Sequence, residues 1–466
     1  MERRFAARMQ EALEGAVVDP RVFCDVQPHL EKFLEPFVAS LREAEQKEHA
    51  RSYVTGLLSD LKRKTVESVA YLHDQDRLPL QKFIGCSPWE HPPLLRELAQ
   101  QVGAELGEAD GVIVFDPSAH AKKGTASVGV QRQWCGRLGK IENCQVGIYM
   151  GYVSRIEQAL VDVRLYLPES WASDKKRRKK AGVPKEVRFQ TRHELALAML
   201  DENGPLLPHR WVTGDDEMGR STHFRRELRE RNEGYLLMVP SNTLVRDLEA
   251  EPPPYGGRGP RPQVPFVRVD RWAAALPPSA WTTIEVRAGE KGPLIVEAVQ
   301  RRVSAKTDRR RAGPEEVLVV FREKQADGTF KHDYSLSNGS AATPLPEFAR
   351  VFNAEHRVEQ CLQRAKGEAG LSHYQVRTWR GWHHHQTLSL IATWFLTQEA
   401  RRGKNLDPRD HAVAAPLVHG GRLPPGAGLR PVGLHLPHQH APLTTHRASA
   451  PLFLEEETQP CAAVAG

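Results

Sequence analysis

The sequence predicts an α/β protein: a mixed sheet with flanking helices, entered through a helical N-terminal domain and interrupted by a β-rich insertion. Three features lead to this reading. Apolar residues recur at i, i+3 and i+4 through residues 1–105. From residue 111, short β-branched apolar runs bounded by turn formers alternate with helical segments. A proline-glycine stretch, "EPPPYGGRGPRPQVP" (251–265), then opens a third texture of β-rich pieces.

Residues 1–105 read as one helical domain. "EKFLEPFVASLREAEQKEHARSYVTGLLSDLKRKTVESVAYL" has few glycines and mixed surface charge. A DNA-gripping module and a bundle packed on the rest both fit that pattern. Residues 106–240 supply the first part of the sheet: "GVIVFD" (111–116), "CQVGIYMGYVS" (144–154) and "ALVDVRLYLP" (159–168). A helix, "TRHELALAMLDENG", the short run "RWVTGD" (210–215), a basic helix, "RSTHFRRELRERN", and the strand "GYLLMVP" follow. Residues 241–330 read as an insertion with its own small sheet. Residues 331–404 return to the core through a long helix near 344–369 and a final apolar helix, "HHHQTLSLIATWFLTQEARR". The tail, 405–466, is rich in Pro, His, Gly and Ala without periodicity, so disorder is expected.

Composition narrows the function classes. The 466 residues are 40% hydrophobic and 26% charged. No apolar run approaches the ~18–20 residues of a membrane span. The opening "MERRFAARMQEALEG" lacks a signal core, so a cytoplasmic protein is expected. Six cysteines (24, 86, 135, 144, 361, 461) show no paired spacing, which argues against a disulfide framework or structural zinc and fits a reducing compartment. The net charge of +7 is concentrated in runs, "DKKRRKK" (174–180), "RRELRER" (225–231) and "DRRRAG" (308–313). Such runs are often solvated helix faces, but three on one chain favour a polyanionic partner.

Two short apolar runs end on an acid, Asp116 and Asp215. In open α/β sheets, ligand sites gather at strand ends. The long late helix adds Glu355, Glu359 and Lys366 on roughly one face. Two aspartates and a helix glutamate form the oxygen set that Mg²⁺ or Mn²⁺ prefers, and two such ions can serve phosphodiester chemistry. Each acid also has an ordinary reading: a turn-starting Asp-Pro at 116, and a helix-surface ion pair at 359.

Ordered blocks then give a resemblance. "FDPSAHAKKGTASVGVQRQWCGRLGKIENCQVGIYMGYVS" (115–154), "LYLPESWASDKKRRKKAGVPKEVRF" (165–189), "GDDEMGRSTHFRRELRERNEGYLLMVPSNT" (214–243) and "HRVEQCLQRAKGEAGLSHYQVRTWRGWHHHQTLSL" (356–390) resemble bacterial insertion-sequence transposases of the DDE superfamily-endonuclease type. The similarity spans roughly residues 35–402. It implies an RNase H-like core whose catalytic, metal-holding triad is Asp116, Asp215 and Glu359, with Mg²⁺ or Mn²⁺, two ions, as cofactor. Asp215 is chosen over Asp216 and Glu217 because it follows the small Gly214 at the strand end. Lys366 stands seven residues after Glu359, as in the related signature. Where fuller relatives have Arg four residues before the glutamate, this chain has Glu355, so Arg357 or Arg364 would have to supply that contact.

The implied function is a transposase that binds the ends of an insertion sequence, cleaves DNA strands and transfers them to target double-stranded DNA, as a homodimer on DNA in the bacterial nucleoid. Expected DNA contacts are Lys122, Lys123, Lys175, Lys176, Arg177, Arg178, Arg225, Arg226, Arg309, Arg310, Arg357, Arg364 and Lys366. A catalytically silenced relative acting as a DNA-binding regulator is the alternative; a small-molecule phosphohydrolase fits the basic runs poorly. Trp272 and Trp281 in the insertion read either as insertion-core residues or as base-stacking aromatics. The triple His383–His385 reads as packing or DNA contact rather than a metal site, and "HLPHQH" (435–440) as compositional bias.

Overall fold

The computed structural model describes residues 26–287, 294–307 and 311–405. The tail with its "HLPHQH", the first 25 residues, and Arg309 and Arg310 therefore lie outside the described residues.

Five helices open the described chain: α1 (Val26–Ala39), α2 (Ala44–Leu58), α3 (Val66–Leu72), α4 (Arg77–Gly85) and α5 (Pro92–Leu106). Their starts follow local chemistry: the Thr65 and Asp76 side chains accept from Ser68 N and Leu78 N, capping α3 and α4. Their apolar stripes, such as Leu30, Leu34, Phe37 and Val38 on α1, belong to the same core cluster as the sheet. The helical region thus packs on the core.

The joint is made by the last helix, α13 (Trp379–Asn405), which carries the three histidines. His384 bridges Ile84 O (3.0 Å) and Trp89 O (2.9 Å) and stacks on Trp89, centroids 3.5 Å apart. His385 Nδ1 meets Tyr53 Oη at 2.9 Å, and its Nε2 meets Gly370 O at 3.1 Å. Burial depresses all three imidazoles, to about 3, 4 and 3 for His383, His384 and His385. They are packing residues. Neutral when folded and near 6.5 when exposed, they let the unfolded chain bind more protons between those values, so their contribution to stability falls as pH drops from 6.5. Their ring-nitrogen NMR signals should stay those of neutral imidazole from pH 7.5 to 5; protonation near pH 6 would refute the packing.

The sheet holds twelve strands. The core strands are β1 (Val112–Ala121), β2 (Gln131–Cys135), β3 (Lys140–Val153), β4 (Gln158–Leu165), β5 (Trp211–Gly214) and β6 (Gly234–Met238). β3 lies antiparallel to β1 on one side and to β2 and then β4 on the other. β1, β5 and β6 run parallel. The order β4-β3-β1-β5-β6, with one antiparallel strand beside the central one, is the RNase H-like arrangement. Three helices lie between β4 and β5: α6 (Glu169–Ala172), α7 (Lys175–Ala181) and α8 (Arg192–Asn203). Between β5 and β6 lie α9 (Asp216–Gly219) and α10 (Thr222–Glu230).

The insertion differs from expectation in one respect: it does not form a separate sheet. Its strands β7 (Leu244–Asp247), β8 (Val267–Arg268), β9 (Thr282–Arg287), β10 (Leu294–Lys306) and β11 (Ala312–Lys324) extend the core sheet, because β11 pairs with β12 (Phe330–Ser337), the strand on which the chain returns to the core, and β12 pairs with β6 through Ser335↔Met238, Leu336↔Leu237 and Ser337↔Leu236. A second apolar cluster, including Val245, Val269, Val303, Leu318 and Trp281, covers this extension around the short helix α11 (Val269–Ala274). Trp272 donates to Asp247 (3.0 Å) and Trp281 is buried under Arg322. Both are insertion-core residues, which removes the stacking role considered for them. No helix among the described residues is long and apolar enough to cross a membrane.

Candidate active site

Phe115 and Gly214 are the last partners of the parallel β1–β5 pair, so Asp116 and Asp215 are the next residue on each of two adjacent strands. Hydrogen-bonded strands lie ~4.8 Å apart, which brings the two carboxylates to one place. Gly214 is needed there: a Cβ would sit 2.9 Å from Phe115 O and 3.1 Å from Met218 Cγ. β1 does not stop at Asp116. It runs on to Ala121, paired with β3 alone, and Pro117 is tolerated because β5 has already ended on its other side. Asp215 leaves β5 as the cap of α9, Oδ1 accepting from Glu217 N and Met218 N at 3.1 Å each. Its neighbours are engaged elsewhere: Asp216 with Arg220 (3.1 Å) and Glu217 with Arg192 (2.6 Å).

The third element is α12 (Leu345–Glu368). Alternation puts Val114, Asp116 and Ser118 on one face of β1, and α12 lies along it. The helix is pinned along its length. Arg350 donates to Asp110 O (2.7 Å), and Trp211 Nε1 to Glu347 (2.8 Å). Val358 sits so close to Gly151, the partner of Val114, that a Cβ there would be 2.6 Å from it. Lys366 Nζ donates to Ser118 Oγ at 2.7 Å. Phe352 stacks on Phe321 of β11, centroids 4.6 Å apart, tying the insertion to the same helix.

Electrostatics single out the set that shares this space. Asp116 is held well above the usual carboxylate range, first by burial, then by the charges of Asp215 and Glu355; Lys366 opposes, and Glu359 adds to the rise. Asp215 is pushed up to about 6, chiefly by burial, against the pull of its two backbone N–H bonds. Glu355 rises to about 7, again by burial first, then Glu359, Asp215 and Asp333. Glu359 is exposed, with His356 Nδ1 3.7 Å away. The helix therefore presents two carboxylates to the aspartates, one turn apart. Glu355, which the sequence places on one helix face with Glu359 and also marks as a departure from an arginine, is the more enclosed.

The expected cations divide. Lys122 lies 3.4 Å over the Tyr374 ring and burial lowers it to about 8; Lys123 is exposed beside it. Lys175 and Lys176 on α7 are exposed, but Arg178 of the same helix is spent on Pro184 O and Val187 O (2.8 Å each), and Arg177 covers Trp171 at 3.8 Å. Arg226 faces solvent between Glu227 and Glu230. Arg225 is buried against Glu316 at 3.0 Å, so a phosphate contact does not fit it: its helix phase, shared with Phe224 and Leu228, points it inward. Arg357 donates to Gln158 (2.9 Å) and to Ser154 O, away from the aspartates. Arg364 is half-buried and acts on Glu368 and Cys361.

Among the described residues, no three Asp, Glu, His or Cys side chains already converge around one metal position. The chemistry of the set still suits Mg²⁺ or Mn²⁺. It is all oxygen, and the charges of Asp215, Glu355 and Glu359 all raise the Asp116 carboxyl. A divalent cation would relieve that repulsion.

Residues 36–293, more than half of the chain, match the family of DDE superfamily endonucleases, and the protein belongs to that family. It is 24% identical over 237 residues to the "Probable transposase for insertion sequence element IS701" of Microchaete diplosiphon, covering 50% of this chain; the chain spans 59% of that relative's length. Among solved structures, a piggyBac transposase synaptic complex with hairpin DNA aligns over 84% of this chain and 78% of its own, at 11% identity and a TM-score of 0.37.

Proposed function

We propose that the protein is a DDE transposase: a metal-dependent DNA endonuclease and strand transferase that acts on the ends of an insertion sequence. The observation behind this is the gathering of Asp116, Asp215 and the Glu355–Glu359 pair at one sheet position in a chain of the DDE endonuclease family. Asp116 and Asp215 would hold the metal from the rigid sheet, and Glu359, with Glu355 beside it, from the helix. Bound there, Mg²⁺ or Mn²⁺ stabilises the attacking and leaving oxygens of a phosphodiester. Lys366 balances the carboxylate charge while keeping Ser118 and the helix in place. Exposed Lys123, Lys175 and Lys176 hold DNA phosphates, so binding weakens steeply with salt. The transposase relative favours DNA as substrate, and a dimer would hold two ends together.

The test is cleavage of a labelled duplex carrying the DNA that flanks this gene, with Mn²⁺ or Mg²⁺ against EDTA. Metal-dependent cutting at the element's edge supports the reading; binding without cutting, on paired ends and with Mn²⁺, leaves the silenced regulator. A simpler measurement needs no DNA. Mn²⁺ should raise the melting temperature, and the shift should grow as pH rises from 5.5 to 8, because Asp215 near 6 and Glu355 near 7 must lose protons before they bind metal. A shift independent of pH would place the metal elsewhere.

A further inference from the structure

Trp134 is a large aromatic that the fold leaves outside. Strand alternation turns Gln133 and Cys135 inward and Arg132 and Trp134 outward, and Trp134 is 56% exposed. Directly opposite on β3 is Ile141, 58% exposed, so ring and aliphatic chain form one apolar face at the end of the β2–β3 hairpin. This face borders a cleft of about 740 Å³ whose lining also includes Asp215, Tyr166, Arg192 and Pro117. An exposed indole that shares a cleft with a candidate catalytic carboxylate calls for a flat, apolar ligand with charge attached.

The surroundings show the sign of that charge. α6 is fastened to the start of β2, since its Trp171 Nε1 donates to Val130 O (2.8 Å) and its Ser170 Oγ to Gln131 Oε1 (3.0 Å), and Arg177 of α7 covers the Trp171 ring. Lys175, Lys176, Lys179 and Lys180 of α7 are all exposed, as is Arg132, two residues before Trp134. On the other side, Asn143, opposite Arg132, donates to Lys122 O (2.6 Å) and Gly124 O (3.0 Å), holding the loop that exposes Lys123. Cations thus flank the indole on both sides. A chain with regularly spaced phosphates and flat apolar bases is complementary to such a surface, since stacking tolerates any base and lysines track the backbone.

We propose that Trp134, backed by Ile141, stacks on an unpaired nucleobase of a DNA strand entering the Asp215 cleft, with Arg132 and the α7 lysines on its phosphates. This rests on the reading of DNA as the substrate. The measurement is equilibrium binding, in EDTA and at one fixed salt concentration, of a single-stranded oligothymidylate and of a mixed-sequence duplex of equal length. Wild type, Trp134→Ala and Trp134→Phe are compared, with their sedimentation recorded without DNA. Trp134→Ala should weaken single-strand binding about tenfold or more, the scale of one lost stacking contact. Trp134→Phe should keep most of the affinity, and duplex binding should change less than about twofold, since backbone charge dominates it. Single-strand binding equal to wild type in Trp134→Ala overturns the stacking site while leaving the DNA reading intact. A wild type that binds neither oligonucleotide overturns the DNA reading itself. A Trp134→Ala protein that loses self-association, with DNA binding unchanged, makes the face a contact between copies and overturns the proposal.

Discussion

Asp116→Asn is expected to lower metal-dependent strand cleavage by on the order of a thousandfold or more, because a metal centre supplies several kcal/mol of transition-state stabilisation and each 1.36 kcal/mol is about tenfold. The substitution keeps the shape and removes the charge. Asp116 is the group on which the fields of Asp215, Glu355 and Glu359 all act, so its loss should empty the site of metal rather than displace it. DNA binding should be spared, since the exposed lysines lie on α7 and beyond the end of β1. Stability should rise, because a buried carboxylate among like charges is unfavourable when ionised, and asparagine has none to repel. A higher melting temperature, lost Mn²⁺ response, retained DNA affinity and lost cleavage together define a metal ligand. A fall in melting temperature that tracks the loss of cleavage would mean that Asp116 is structural. Glu359→Gln and Glu355→Gln, run beside it, separate the helix carboxylates: the one whose loss abolishes the Mn²⁺ response is the ligand.

The positions of Asp116 and Asp215 were visible in the sequence because an acid directly after a β-branched apolar run is a local signal. What lies across from them was not. Pro117 looks like the end of a strand, and only the β3 pairing shows why the strand passes through it. "HDYSLSNG" reads as the chain's return to the core, but nothing in it announces the pairing with "YLLM" some hundred residues earlier, since such registers are set by tertiary partners. Cationic residues were read as a surface class, yet Arg225 and Arg226 are neighbours with identical chemistry. One faces Glu316 and the other solvent, a difference of helix phase alone. Trp134 was hidden for the opposite reason. It stood inside a block recognised as a whole, where its outward phase on a strand drew no notice.

Arg225→Ala should destabilise the protein by about 3–5 kcal/mol, the range for leaving one partner of a buried ion pair alone. Arg225 and Glu316 are both almost fully enclosed, and they join α10 of the core to β11 of the insertion. Glu316 also accepts from Tyr235 Oη at 2.6 Å and lies 3.4 Å from Arg229, while Arg225 reaches back to Gly219 O. Removing the guanidinium therefore takes a charged partner from Glu316 and the donor from Gly219 O together. Glu316→Gln should cost less, because an amide oxygen still accepts from Tyr235 and Arg225. The double variant Arg225→Met with Glu316→Leu should recover much of the single loss, since replacing a whole buried pair by apolar groups is often neutral. Denaturant unfolding of the four proteins checks this order. If Arg225→Ala instead weakens DNA binding at full stability, the arginine swings out to phosphate and the buried pair is not its working state. If stability falls with DNA affinity per folded molecule unchanged, Arg225 is the bolt between the two halves of the sheet.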